Sequence, residues 1–328
     1  MSAQSVLLPA GLARRIDHGV FVVLSRLVAI TVLVVVLAIL SPQFLTWANF
    51  GNVMRQASVQ FLMAAGLTIV VLTGGIDLAL GAILGLAACL SASLMSQGHL
   101  AWGILAALAV GLAAGSVNGL LVTFGRIPPF IATYGMLWIA HGLGYVFMKG
   151  EVIYGLPAGF RFIGTGLVWG IPVPVIVAAA LLVVLHVMLH GTVLGRAIYA
   201  IGGNPAAARL SGMPVRARLV VVYTLSGLLS GFAALVVIAR INAADSGIGE
   251  DLLLPAIATV CLGGTSLFGG VGGIAGTAIG AVILALVLNG MNLLGVQTFW
   301  QSGVMGAIIL VSVLADQVGG SRLMGKRT

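Results

Sequence analysis

Residues 171–190 read IPVPVIVAAALLVVLHVMLH and contain no Asp, Glu, Lys or Arg. A helix needs about 20 predominantly apolar residues to cross the hydrocarbon core of a bilayer. A strand of a membrane β-barrel would instead alternate in hydrophobicity over about 10 residues, and this run is continuous. The stretch therefore predicts a membrane-spanning helix and an all-α fold class.

The composition of the whole chain agrees with that prediction. Of its 328 residues, 60% are hydrophobic and only 7% are charged, with a mean hydropathy of +1.20. Soluble domains carry about 25% charged residues because their surfaces face water, so a lipid bilayer must cover most of this chain. The net charge of +8 does not indicate nucleic-acid binding, since the bases stand singly between apolar runs.

Further apolar runs predict a polytopic transmembrane helical bundle of about ten spans. The predicted spans are 21–40, 57–73, 78–96, 99–122, 129–148, 171–190, 218–239, 252–267, 271–294 and 298–315. The first run is too long for a signal-peptide core and is expected to persist as a span. The expected divisions are a cytoplasmic tail at 1–20, a membrane domain at 21–316 with a cytoplasmic loop at 191–217, and a cytoplasmic tail at 317–328.

Basic residues orient the bundle, because cytoplasmic loops carry an excess of Lys and Arg. With an even number of spans, both termini fall on one side. That side collects Arg14, Arg15, Arg126, Arg196, Arg209, Arg216, Arg218, Arg322, Lys326 and Arg327. The opposite side keeps Arg55, Lys149, Arg161 and Arg240. This asymmetry predicts that both termini are cytoplasmic.

Glycine recurs in two patterns. Small residues repeat every four positions at Gly81/Gly85, Gly111/Gly115/Gly119, Gly227/Gly231 and Gly272/Gly276/Gly280. Such faces let helices approach closely in lipid, and packing within one subunit is favoured over an interface between subunits. Glycine also interrupts two pairs of spans, at 73–77 and 263–270, and interrupted spans at corresponding places point to a transport pathway.

The segment from Gly195 to Pro214 is polar and predicted to be cytoplasmic. Asn204 suits the cap of a short helix, and Pro205 suits its first position because the missing N–H costs nothing there. Gly212 can end that helix in a left-handed conformation, and Pro214 prevents its continuation. Because one or two helical turns are unstable in water alone, this helix must pack on the membrane domain or on a cytoplasmic partner.

Five stretches of the chain resemble the ribose/xylose/arabinose-type permeases of ABC importers, in that family's order and spacing from about residue 50 to 316. They are 66–78 (GLTIVVLTGGIDL), 129–133 (PFIAT), 195–214 (GRAIYAIGGNPAAARLSGMP), 262–270 (LGGTSLFGG) with 276–281 (GTAIGA), and 289–296 (NGMNLLGV). Each motif alone is modest, but five in order are specific.

This resemblance implies a type II ABC importer-like permease that moves a monosaccharide (a pentose, hexose or deoxysugar) across the bacterial inner membrane. Two permease subunits, identical or related, would form the path. A separate cytoplasmic ATPase would hold ATP and Mg, so this chain would bind no cofactor itself. A periplasmic sugar-binding protein would deliver the substrate.

By the same resemblance, the loop couples the permease to its ATPase. The residues assigned to coupling are Gly195, Arg196, Gly202, Gly203, Asn204, Pro205, Ala207, Ala208, Arg209 and Gly212. The chain departs from the family at 251–257, where DLLLPAI stands in place of GYELDAI. Leu253 and Pro255 replace the two acids, so no role for acids at these positions is carried over, and the sugar stays open.

Several polar residues within or beside the spans are candidates for function. Asp77 is ionisable at membrane depth, and we expect it to cap a helix starting near Leu78, with a place in the translocation path as a compatible role. Interhelical hydrogen bonds are favoured over sugar contact for Asn118, Asn289 and Asn292. Docking of a binding protein, where charges set rate and register, is weighed equally against an ordinary solvated loop for Asp245, Glu250 and Asp251.

Other function classes fit the sequence less well. An ion-coupled secondary transporter of a small polar solute is the main alternative, but such proteins usually hold several ionisable groups within their spans. No metal site is expected, since His186 and His190 lack an acidic or cysteine partner nearby. The nearest match to a phosphate-binding loop, at 320–327, lacks the final Ser or Thr. We therefore predict a transport subunit without an ATPase site rather than an enzyme.

Overall fold

The computed structural model describes residues 26–324, with side chains described as far as Leu314. The helices of this part, in chain order, are α1 (Arg26–Leu40), α2 (Trp47–Leu72), α3 (Leu80–Ser96), α4 (Leu100–Thr123), α5 (Pro129–Met148), α6 (Ala158–Thr165), α7 (Val173–Gly191), α8 (Val193–Gly203), α9 (Pro205–Leu210), α10 (Val215–Ile241), α11 (Glu250–Leu262), α12 (Ile274–Leu293) and α13 (Thr298–Met324). Six of them, α2, α4, α5, α7, α10 and α12, are long and apolar enough to cross a membrane. The prediction of an all-α membrane bundle is confirmed.

Short strands occur only in the connections of the described part. They are β1 (Ile153–Tyr154), β2 (Leu167–Val168), β3 (Ile171–Pro172) and β4 (Ala243–Ala244). The β2 strand pairs with β3 as a local hairpin, whereas β1 pairs antiparallel with β4, with Ile153 opposite Ala244. The second pair ties the connection after α5 to the connection after α10.

Helix α2 begins ten residues earlier than its predicted span at 57–73, so that prediction was wrong at its start. Thr46 caps the helix by accepting a hydrogen bond from the Asn49 amide at 3.3 Å. The polar residues after Trp47 lower the hydropathy of this segment, so the apolar run used for the prediction begins only at 57. They are accommodated because Asn49 is buried and bonds across to α12 through Asn289.

Two other predicted boundaries also differ. Helix α11 ends at Leu262 rather than at 267, because Gly263 and Gly264 turn the chain and Gly264 has a φ of +65°. Helix α13 continues to Met324, so much of the segment 317–328 predicted as a tail is helical. The predicted tail at 1–20 lies outside the described residues.

Glycine lets α4 and α10 pack with their backbones in contact. A side chain on Gly111 would overlap the Gly227 carbonyl, and one on Gly115 would overlap the Tyr223 carbonyl. A side chain on Gly227 would in turn overlap Gly111. Gly81 on α3 meets the Gly249 carbonyl in the same way. The prediction that these small-residue faces pack within one subunit is confirmed at these positions.

Candidate functional site

Three glycine-rich segments that are far apart in the sequence meet at one place, which we call the glycine junction (Leu72–Gly74, Gly202–Gly203 and Gly269–Gly270). The Gly270 amide donates a hydrogen bond to the Leu72 carbonyl at 2.9 Å. Gly202, near the end of α8, lies against that carbonyl and the Gly270 amide so closely that a side chain would overlap both. The two interrupted pairs of spans are thus joined to the predicted coupling loop.

A side-chain hydrogen bond adds a second tie between α8 and the segment before α12. The Tyr199 hydroxyl donates to the Gly272 carbonyl at 3.0 Å. Burial raises the pKa of the Tyr199 phenol above its ordinary value, because the charged phenolate is poorly solvated there. The hydroxyl therefore keeps the proton that it donates.

The short helix α9 has the local structure that its sequence predicts. The Asn204 carboxamide oxygen accepts hydrogen bonds from the amides of Ala206 and Ala207, both at 3.0 Å. Pro205 occupies the first helical position. Gly212 takes the left-handed conformation after the helix, with a φ of +78°. The predicted cap and stop are confirmed.

The two faces of α9 have different surroundings. Ala208 is buried and packs against Ile201 of α8 and Val215 of α10. Ala207 is exposed, and Leu210 is 90% exposed although its side chain is large and apolar. The remaining predicted coupling residues include a buried glycine at the α7–α8 turn, Gly195, and the exposed Arg196, Gly203, Asn204, Pro205, Arg209 and Gly212. The helix is thus fastened on one side and open on the other.

Asp77 is fully buried beside α10, in the extended segment between α2 and α3. Its Oδ1 accepts a hydrogen bond from the Ala79 amide at 3.0 Å, and its Oδ2 accepts one from the Ser226 hydroxyl at 2.9 Å. Helix α3 begins at Leu80, so the predicted cap of a helix starting near Leu78 was wrong in register. The carboxylate instead holds the turn that leads into α3 and pins it to α10.

The three candidate asparagines, of which Asn118 and Asn289 are buried and Asn292 is exposed, fall into two groups. Asn289 and Asn49 exchange hydrogen bonds at 2.7 and 3.1 Å, and Asn292 accepts one from Gln301 at 2.7 Å. The expected interhelical bonds are confirmed for Asn289 and Asn292. Asn118 of α4 is fully buried, and neither of its amide atoms has a partner among the described residues, so its predicted bond is not found there.

An aromatic ladder runs along the exposed face of α5 and was missed by the sequence reasoning. It consists of Phe130, Tyr134, Trp138, His141 and Tyr145. Successive ring centroids are 5.9, 6.3, 5.9 and 4.8 Å apart. The spacing of three or four residues is helical and could have been read from the sequence. The structure adds that the rings of the four Phe, Tyr and Trp residues are about half exposed, whereas the His141 ring is more buried.

The acids predicted to dock a binding protein do not form one group. Glu250 Oε1 lies 2.9 Å from His141 Nδ1, so this acid belongs to the aromatic ladder. By helix rise, His141 is about 10 Å from the end of α5. Asp245 accepts a hydrogen bond from the Gly247 amide at 2.8 Å, and Asp251 is exposed in the first turn of α11.

Together, the fold and these contacts define a membrane transport protein. Interrupted spans at corresponding places in two parts of a helical bundle are a feature of transporters. Residues 49–313 match the family described as branched-chain amino acid transport system / permease component. The chain therefore belongs to this family of transport permeases.

Three individual relatives show which transport permeases the chain is similar to. The chain is 44% identical to the ribose import permease protein RbsC of Bacillus subtilis (strain 168), over 91% of this chain and 94% of that protein. It is 38% identical to the D-allose transport system permease protein AlsC of Escherichia coli (strain K12), over 92% and 91%. It is 33% identical to the galactose/methyl galactoside import permease protein MglC of the same strain, over 92% and 94%. The resemblance noted from the motifs is confirmed.

No solved structure matches the chain.

Proposed function

We propose that this chain is the membrane permease subunit of an ATP-binding-cassette importer that carries a monosaccharide across the bacterial inner membrane. The observation that carries the proposal is α9, a capped helix that is fastened to the membrane helices and leaves Leu210 uncovered. An ion-coupled transporter has no need for such a helix. The names of the relatives, which specify ribose, D-allose and galactose, support a sugar as substrate.

We propose ten spans with both termini in the cytoplasm. Six of the ten would be the long helices named above. The other four would be α1, α3, α11 and α13, which are shorter in the part of the chain whose side chains are described. Helix α11 has 13 residues, a length of about 20 Å, and would cross together with the glycine turn that follows it. The excess of bases at the predicted cytoplasmic side supports this orientation.

The exposed face of α9 is proposed to dock a separate ATPase that holds ATP and Mg. Leu210 and Ala207 would pack into a pocket of that partner, while Ala208 keeps α9 in place on α8 and α10. The glycine junction would transmit the movement of α9 to both interrupted pairs of spans. A second permease copy, identical or related, would complete the path.

Acidic substitutions on the open face of α9 test this docking. We expect Ala207→Glu combined with Leu210→Glu to abolish co-purification of the ATPase and ATP-driven uptake, because charges would be buried without partners at the interface. Membrane insertion should be unchanged, since both side chains are exposed in the permease. The measurements are pull-down of the ATPase and uptake of pentoses, hexoses and deoxysugars by reconstituted vesicles with the binding protein.

The matched control is Ala217→Glu, an exposed alanine at the start of α10 on the same side of the membrane. It should leave both readouts near wild type. Normal ATP-driven uptake by the double α9 variant would contradict the docking role. Uptake by the permease alone, driven by an ion gradient, would instead establish the secondary transporter.

We propose that the aromatic ladder of α5 lines the sugar path and that Asp77 helps to shape the path by holding the turn into α3 against α10. Trp138 and His141 lie near the middle of a 20-residue helix, away from the membrane interfaces that Trp and Tyr prefer. A face with a histidine next to Glu250 is unfavourable in lipid. Aromatic rings with polar edges suit a hydroxylated ring whose C–H faces are apolar.

For Asp77, we expect Asn to be tolerated and Leu to be severe. Asp77→Asn keeps one oxygen for the Ala79 amide, and its amino group can donate to the Ser226 hydroxyl. Asp77→Leu leaves both donors unpaired, at about 1–3 kcal/mol each. The permease level in membranes should stay near wild type for Asn and fall for Leu. Complete loss of uptake by Asp77→Asn with intact assembly would show that the charge itself acts in the path.

Asp251 and Asp245 are proposed to steer a periplasmic binding protein, with Glu250 shared between this role and the ladder. The support is electrostatic, because charges near an interface mainly raise association rates, and Asp251 is exposed whereas Asp245 is half-buried. The association rate of the binding protein should therefore fall on Asp251→Lys and fall with added salt. A rate that responds to neither would rule out this docking site.

A further inference from the structure

A cationic cavity lies where α4 ends and α10 begins, next to α9. Its volume is about 380 Å³. Its lining residues are Val122, Thr123, Arg126, Arg209, Val215, Arg216 and Leu219. We refer to Arg126, Arg209 and Arg216 as the arginine triad. The triad brings together three segments of the chain, namely the connection that follows α4, the coupling helix α9 and the first turn of α10.

No carboxylate with a described side chain reaches this cavity. Asp77 is bound to Ser226, ten residues along α10 from Arg216 and so about 15 Å away by helix rise. Glu250 is held at His141, and Glu151 lies beyond the far end of α5 from Arg126. Asp245 and Asp251 flank the connection beyond the far end of α10. Three positive charges therefore face one cavity without a described counter-charge.

The lining of the cavity is apolar toward the membrane-spanning parts of α4 and α10. Val122 lies four positions before Arg126 and Leu219 lies three positions after Arg216, so both are about one turn deeper along the helices than these two arginines. Next to them on the outside of the bundle, Leu120 is 47% exposed and Phe124 is 61% exposed. The cavity is thus cationic toward the cytoplasm and apolar toward the membrane, which is the division that a phospholipid has between its phosphate and its acyl chains.

We propose that this cavity binds the headgroup of an anionic phospholipid from the cytoplasmic leaflet. Guanidinium groups match phosphate oxygens in a bidentate arrangement, and basic pockets between membrane helices on the cytoplasmic side bind anionic headgroups. The bound phosphate would hold α9, through Arg209, against α4 and α10. A single carboxylate of the ATPase fits less well, because it would occupy little of the volume and leave the apolar wall uncovered.

Native mass spectrometry of the purified permease, titrated with phosphatidylglycerol or phosphatidylcholine, tests this site. Wild type should retain phosphatidylglycerol in preference to phosphatidylcholine. Arg126→Gln combined with Arg216→Gln should weaken phosphatidylglycerol binding about 25-fold, at about fivefold for each charge removed. The matched control is Arg218→Gln. It removes one positive charge two residues from Arg216, but Arg218 is not among the residues that line the cavity. This variant should bind phosphatidylglycerol as wild type does.

Several results would overturn the proposal. Undiminished phosphatidylglycerol binding by the double variant would do so, as would an equal loss in Arg218→Gln. Loss of ATPase co-purification with unchanged lipid binding would assign the triad to a carboxylate of the partner instead. If the double variant fails to fold, the salt dependence of phosphatidylglycerol binding by the wild-type permease tests the site instead. Salt at 1 M shortens the screening length to about 3 Å and should release phosphatidylglycerol. Retention of the lipid at that salt concentration would exclude the site.

Discussion

Gly202→Ala should abolish ATP-driven uptake and lower the thermal stability of the purified permease. Its new methyl group would overlap the Leu72 carbonyl and the Gly270 amide, which are themselves joined by a hydrogen bond of 2.9 Å. Backbone atoms cannot rotate away as a side chain can. Overpacking costs about 1–3 kcal/mol even in adaptable cores, and we expect at least the upper end here, with α8 displaced from the glycine junction.

The adjacent residue provides the control for this prediction. Gly203 lies in the same helix, yet a side chain there would meet nothing within 4 Å. Gly203→Ala should therefore leave the melting temperature and the membrane level of the permease unchanged. If Gly202→Ala melted at the wild-type temperature and transported normally, the close contact between α8 and the interrupted spans would be wrong. Comparing the Gly202→Ala and Gly203→Ala variants separates the effect of steric overlap from the effect of losing a glycine.

Replacing two rings of the α5 ladder should lower sugar uptake about tenfold or more. We expect this of Tyr134→Leu combined with Trp138→Leu, because leucine keeps an apolar surface but loses the flat ring and the hydrogen-bonding edge. Tenfold corresponds to about 1.4 kcal/mol, within reach of two aromatic contacts of about 0.5–1.5 kcal/mol each. Uptake of several sugars by reconstituted vesicles, normalised to the amount of assembled complex, gives the measurement.

Leucine is chosen because it distinguishes a path from a lipid contact. On a face that only touches lipid, leucine is as good as tryptophan, so uptake would not change. Trp102→Leu is the matched control, since Trp102 lies on α4 outside the ladder and is 65% exposed. Equal uptake by the ladder variant and the control would place the ladder against lipid and remove it from the proposed path.

The local features of the coupling loop could be predicted because they depend on neighbours in the chain. Asn204 bonds to the amides two and three residues onward, and Gly212 ends α9 through its own φ. The helix spans were predicted from continuous hydrophobicity for the same reason. The prediction failed at the start of α2, where buried Asn49 depends on Asn289, 240 positions away.

The candidate site was only partly visible in the sequence. Asp77 was singled out, but its bond to Ser226 spans 149 positions and required the packing of α10. The ladder spacing on α5 was readable, whereas the meeting of His141 with Glu250 was not. The cavity of the arginine triad was invisible, because the bases had been counted as charges that orient the spans, with Arg209 also assigned to coupling, and nothing in the sequence shows that the three side chains meet.

The sequence alone determined the membrane, the helices and the capped loop, since continuous hydrophobicity and capping are properties of neighbouring residues. Tertiary structure decided that Leu72, Gly202 and Gly270 form one junction. Contacts of that kind depend on how the helices pack against one another. In this chain glycine allows close backbone packing between α4 and α10 and again at the glycine junction. No local sequence pattern specifies which glycine faces will meet.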